Sequence, residues 1–150
     1  MASNFGSRVV VAIGGSITIA TTLISSFTLN PLAFFMLYAV GFGVGKGFLY
    51  PAPLVAGWSH LDDRRGLVSG VVVSGLGIGA FTFGLLVSFL VNPENLKPEL
   101  VEVVPGVQES YFTKEVSDRV PTVLRTLCIV YGVLILIGII AISNFVPSEE

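Results

Sequence analysis

The chain has 150 residues, of which 53% are hydrophobic and only 12% charged, with a formal net charge of −2 and a mean hydropathy of +0.86. Soluble domains carry about 25% charged residues and need them to keep their surface hydrated. This composition excludes a soluble enzyme and a disordered tail, and a pI near 5.3 argues against a nucleic-acid partner.

The charges are also unevenly placed. None falls between Arg8 and Lys46, between Arg65 and Glu94, or between Arg125 and Glu149. Each gap exceeds the ~20 apolar residues that cross a bilayer. Lipid cannot satisfy backbone groups, so such runs must be helices or closed barrels. The runs do not alternate in polarity and are twice the ~10 residues of a barrel strand. The sequence therefore predicts an all-α, polytopic membrane protein with four transmembrane helices, forming one membrane domain over residues 1–150. The helices are expected at about Val9–Thr28, Leu32–Trp58, Gly66–Val91 and Pro121–Val146, with a hydrophilic loop over Asn92–Val120.

The first apolar run follows a segment with a single basic residue, Arg8. It is longer than the 7–15 residues of a signal-peptide core, so it reads as a membrane span. Asn30-Pro31 then makes a turn, with Pro31 suited to open the second helix. Within that helix Tyr50-Pro51-Ala52-Pro53 removes two N–H donors and should kink it. A polar connection, Ser59–Arg65, leads to the third helix. The loop after it carries six acids against three bases. Pro121 reads as the start of the fourth helix, with Ser117 or Asp118 as its cap. Arg8, Arg64 and Arg65 fall on one side and Lys97, Lys114 and Arg119 on the other, so the basic residues nearly tie as a guide to orientation. Four spans place both termini on the same side.

Glycine is concentrated in the second and third helices. Gly41/Gly45, Gly43/Gly47, Gly66/Gly70 and Gly75/Gly79 are each four residues apart. Small residues at this spacing form flat stripes that let membrane helices approach closely. They read as helix-packing surfaces or as the sliding surfaces of a transporter. A nucleotide loop would need a preceding strand, and none is expected.

Lys46 lies near the middle of the second helix and so near the bilayer centre. An ammonium there costs about 2.5–3.5 kcal/mol on insertion scales and usually faces a bundle interior or wet cavity. Tyr50 is one turn further along the same face. Lys46 and Tyr50 are thus candidate binding residues for an anion held at the midplane. The alternatives are a lysine paired with a carboxylate of another chain, or one that snorkels. Arg125 reads as an interfacial, snorkelling residue and Cys128 as packing. His60 is the only histidine, which speaks against a metal site. No nucleophile–base pair appears, so no enzymatic activity and no cofactor are expected. Asp62, Asp63, Arg64 and Arg65 form either a solvated, mutually paired turn or a gate.

The run Gly45–Trp58 (GKGFLYPAPLVAGW), then Asp63–Gly70 (DRRGLVSG), then Gly75–Gly79 (GLGIG), resembles the major facilitator superfamily. It is most similar to the branch of oxalate/formate antiporters and monocarboxylate transporters. There a glycine-rich helix ends in an aromatic residue, a short basic turn follows, and a second glycine-rich helix begins. Tyr111-Phe112 through Arg119–Arg125 is similar to the segment before the sixth helix in protist members, and Phe5–Val9 to the end of the loop between helices 2 and 3. The resemblance thus covers nearly the whole chain, as helices 3–6. It implies transport of small organic anions by alternating access. It also implies an inter-helix turn, Asp62–Gly66 with Gly70, on the cytoplasmic side together with the termini, and the loop 92–120 on the far side. Family members have about twelve helices in two halves, and their charged substrate positions have no counterpart in these four. Other membrane chains, or self-association, are therefore expected to complete the bundle within the lipid. A structural subunit derived from a transporter is the alternative function.

Overall fold

A computed structural model describes residues 2–104 and 106–143, with side chains from Gly6 onward except at 103 and 107. Among these residues four helices are long and apolar enough to cross a membrane. Helix α1 runs Ala2–Ser25, with a break at Gly6, whose φ of 69° lies outside the helical region. Helix α2 spans Pro31–His60, α3 Arg65–Val91 and α4 Lys114–Ala141. A two-stranded antiparallel hairpin, β1 (Glu99–Val104) and β2 (Val107–Tyr111), sits in the connection between α3 and α4.

Helix α1 ends at Ser25, three residues before the expected Thr28. Its last hydroxyls explain the early stop. Ser25 and Ser26 donate to the carbonyls of Thr22 and Leu23, each at 2.7 Å, and so satisfy groups that another helical turn would have used. The chain then turns, and the Asn30 carboxamide oxygen caps α2, accepting from Leu32 N (2.9 Å) and Ala33 N (3.3 Å) ahead of Pro31 in the first turn.

Helix α2 is interrupted twice. A π-helical stretch occupies Met36–Gly41. The second break falls at Tyr50, ahead of Pro51 and Pro53, as the prolines require. Tyr50 itself keeps right-handed helical angles (φ −67°, ψ −49°), so the chain stays helical across the break.

The start of α4 corrects the sequence reading. The helix begins at Lys114, so Ser117, Asp118 and Pro121 lie inside it and neither Ser117 nor Asp118 is its cap. A proline costs a helix only its own missing N–H and the clash one turn back. Here the extra turns are held by buried Val116 and by Arg119, which pairs with Glu115 one turn back (3.0 Å) and with Glu94 in the loop (3.5 Å). The loop expected over 92–120 is accordingly part hairpin and part helix.

Helix α1 is the hub of the bundle. Val10 and Val11 pack with Ala52 of α2, together with Phe48, Leu49 and Ile135 around them. Leu124, Leu127 and Cys128 of α4 are also buried, and the Cys128 thiol lies 3.8 Å from the Ile19 carbonyl. Two arginines clamp α1 to α4. Arg8 Nε donates to Ile142 O at 2.7 Å, tying the start of α1 to the end of α4. At the other end Arg125 Nε lies 3.4 Å from Ser26 Oγ, and its guanidinium sits 4.4 Å from the centroid of the Phe27 ring. Arg125 is three turns into α4 and reaches the end of α1. From Arg8 to Ser26 is about 27 Å of helix at 1.5 Å per residue, close to the ~30 Å of a bilayer's hydrocarbon. The two clamps are thus about one hydrocarbon thickness apart.

Candidate functional site

Lys46 falls at the midpoint of α2. Its depth is also readable from α1. The neighbouring Gly45 lies against α1 so closely that an added Cβ would collide with the Thr18 hydroxyl and come within 3.0 Å of the Gly14 carbonyl. Gly14 and Thr18 straddle the middle of the stretch between Arg8 and Ser26. Lys46 is thus halfway between the two clamps. A residue halfway across a bilayer's hydrocarbon is ~15 Å from either interface, further than a lysine stem reaches.

Beside Lys46, an exposed residue, the four helices line a half-open cavity of about 250 Å³. Helix α2 contributes Phe42 and Lys46, α1 contributes Thr18, and α4 contributes Tyr131. The opposite wall is α3, through Gly75, Gly79 and Phe83. The volume lies below the ~300–1,000 Å³ of drug-sized sites, which suits a small ligand. Lys46 is the one charged residue on the lining, and the carboxylates at the helix ends (Asp62, Asp63, Glu115, Asp118) do not reach it. The Thr18 hydroxyl spends its proton on Gly14 O at 2.8 Å, so the donors left for an anion are the ammonium and the Tyr131 phenol. In a mostly apolar setting a single cation attracts an anion far more strongly than in water.

The ammonium of Lys46 sits 4.7 Å from the centroid of the Phe42 ring. That ring belongs to an aromatic cluster. Phe34, Tyr38 and Phe42 stack at one-turn intervals, each pair with centroids 5.5 Å apart. Tyr131 lies 6.2 Å from Phe42 and 5.5 Å from Phe83, linking α2, α4 and α3 across the cavity.

Of the residues singled out in the sequence, Tyr50 is exposed on α2 and does not line the cavity. The glycines divide by face. Gly41 meets Thr21, where a Cβ would approach its methyl to 2.5 Å, and Gly45 meets Gly14 and Thr18. Gly43 and Gly47 would meet nothing within 4 Å, nor would Gly66, Gly70, Gly75 or Gly79. The Asp62–Arg64 turn is exposed; Arg65 ion-pairs with Asp62, its Nε donating at 2.8 Å. Trp58 braces that turn, its indole N–H lying 3.2 Å from both Arg65 O and Ser69 Oγ. His60 Nδ1 is 2.8 Å from the Ala56 carbonyl, which can only accept, so Nδ1 carries the proton. Among the described residues no three His, Cys, Asp or Glu side chains converge as metal ligands. Phe42, Phe83 and Tyr131 were not singled out in the sequence. Phe42 was discoverable, since it precedes Lys46 by four residues.

No family model matches the chain, and no solved structure does either. Named relatives do exist. The chain is 30% identical over 135 residues to apicoplast pyruvate carrier 1 of Toxoplasma gondii, across 85% of this chain and 25% of the relative. It is 35% identical over 90 residues to monocarboxylate transporter 9 of Pongo abelii, across 60% of this chain and 18% of that protein. It is 28% identical over 92 residues to the oxalate:formate antiporter of Oxalobacter formigenes, across 61% of this chain and 22% of that protein. The chain thus spans a quarter or less of the length of these relatives. They are carriers, transporters and an antiporter rather than enzymes. This four-span membrane chain is a distant and partial homologue of the monocarboxylate transporters and related carriers of the major facilitator superfamily.

Proposed function

We propose that the chain forms part of a secondary carrier for small organic anions, with Lys46 as the group that binds the anion's carboxylate. The observation that carries this reading is a lone ammonium at mid-depth in a cavity built by all four helices. The names of the relatives, which include a pyruvate carrier and an oxalate:formate antiporter, support the same substrate class. In this reading the Asp62–Arg65 turn and both termini face the cytoplasm, the hairpin loop faces the other compartment, and exchange proceeds by alternating access. Four helices do not make two rocking halves around a central site. The carrier therefore needs helices beyond these four.

A second reading has its own support. Val68 is the one buried residue recorded along α3, which exposes Val71, Ile78, Phe81, Leu85 and Phe89. That face suits a structural subunit docked in a larger membrane assembly. Reconstitution separates the two. Purified chain in liposomes, alone and with co-purifying membrane partners, should take up labelled pyruvate, formate or oxalate above empty vesicles, and Lys46→Ala should abolish the uptake. Stable stoichiometric partners with no uptake in any assembly would favour the structural subunit.

A further inference from the structure

We propose that Phe42 is the positioning residue for Lys46: its ring anchors the ammonium at the cavity while no anion is bound. The inference rests on the anion-binding reading above but concerns a different residue. A lysine in a helix points back toward the N-terminus, over the residues three and four positions earlier. Four back from Lys46 is Phe42, and the ammonium stands 4.7 Å from that ring's centroid. This is within the ~6 Å over which a ring quadrupole attracts a cation. No carboxylate lines the cavity to do the same work.

The geometry leaves the ammonium usable. A ring covers only one side of it, which leaves N–H donors for a ligand in the cavity that Lys46 lines. The ring in turn is fixed: Tyr38 stacks on it at 5.5 Å and Tyr131 packs at 6.2 Å. A carboxylate anchor would neutralise the lysine and compete with the ligand. An aromatic anchor holds it in place and leaves its full charge for the incoming anion. Without the ring, the flexible stem must lose its rotamer freedom each time an anion binds.

The test uses the full chain in lipid nanodiscs. The chain has three lysines, Lys46, Lys97 and Lys114. Reductive methylation with ¹³C keeps their charge and gives three lysine resonances beside that of the N-terminal amine, the three assigned with K46R, K97R and K114R. The Lys46 methyl signal should be shifted upfield by the ring current, and Phe42→Leu should return it to the position of the other two. In parallel, pyruvate binding is titrated on unmethylated protein. Phe42→Leu should weaken it by up to about 30-fold, the scale of the stem's rotamer freedom that the ring no longer removes in advance, while Phe42→Tyr and Phe42→Trp restore it. An unshifted Lys46 signal in the parent protein would overturn the proposal. So would Phe42→Leu binding as tightly as the parent while Lys46→Gln abolishes binding. A shifted signal with no pyruvate binding would reject the anion reading and uphold Phe42 as the lysine's anchor.

Discussion

Helices α1 and α3 are both apolar and both glycine-bearing, yet one is the hub of the bundle and the other leans on its side. In α1, Gly14 meets Gly45 of α2, Thr18 and Thr21 sit under Gly45 and Gly41, and Arg8 and the Ser26 turn are clamped to α4. In α3, Gly66, Gly70, Gly75, Gly77, Gly79 and Gly84 would each meet nothing within 4 Å. Apolarity does not separate the two, since lipid is as apolar as any side chain. What separates them is matching. A small residue stabilises a membrane helix pair only where a partner's backbone or hydroxyl fills the space it leaves.

That contrast can be broken in several ways, beginning with the largest effect. Gly45→Leu should destabilise the fold by about 3 kcal/mol or more, because its Cβ has backbone on two sides and no room to relax. The matched change Gly77→Leu in α3 should shift stability by less than ~0.5 kcal/mol in the isolated chain. Thermal unfolding in mild detergent compares them, and equal losses would refute the distinction. If a partner covers α3, Gly77→Leu should instead weaken the assembly and leave the isolated chain intact.

The clamps come next. Arg8→Met and Arg125→Met should each cost about 1 kcal/mol, the scale of one exposed hydrogen bond or cation–π contact. Their effects should add in the double variant, since they lie at opposite ends of α1. Strong coupling would mean that α1 and α4 do not pack as two independent ends. At the α2–α3 turn, Trp58→Phe should keep the packing but lose the indole donor shared by Arg65 O and Ser69 Oγ. Faster hydrogen exchange confined to the first turns of α3 is the expected signature. The smallest effect lies outside the membrane. Tyr111 donates to the Glu109 carboxylate, which holds the phenol proton and raises the pKa above its usual 10. Glu109→Gln should therefore lower the pH at which Tyr111 ionises, read by ultraviolet titration against a Tyr111→Phe blank.

Much of the architecture was legible in the sequence, because the spacing of charges reports directly on the solvent around the chain. Three long uncharged gaps pointed to the spans, and Lys46 falls at the midpoint of one of these spans, as the sequence expected. The start of α4 was misread because Pro121 suits a first turn so well. The evidence against it, Arg119 bridging Glu115 and Glu94, is partly tertiary. The hairpin was missed because Glu99–Val104 and Val107–Tyr111 are short and set in an acidic loop. The glycine pairs were only half legible. Pairs 41/45 and 43/47 are two residues apart and so lie on different faces of α2; only the first meets α1. At the candidate site, Tyr50 was chosen one turn after Lys46, where the direction of helical side chains favours Phe42, one turn before. Tyr131 and Phe83 come from other helices, and no local pattern joins them to Lys46.

The most direct test of the whole account is the depth of position 46 in a bilayer. A nitroxide on Lys46→Cys, in a Cys128→Ser background, can be compared with labels at Arg8→Cys and Arg125→Cys by oxygen and nickel-chelate relaxation. The expected result is a label ~15 Å from either interface, midway between two labels that report the headgroup regions. A label at position 46 lying at the same depth as either arginine position would contradict it.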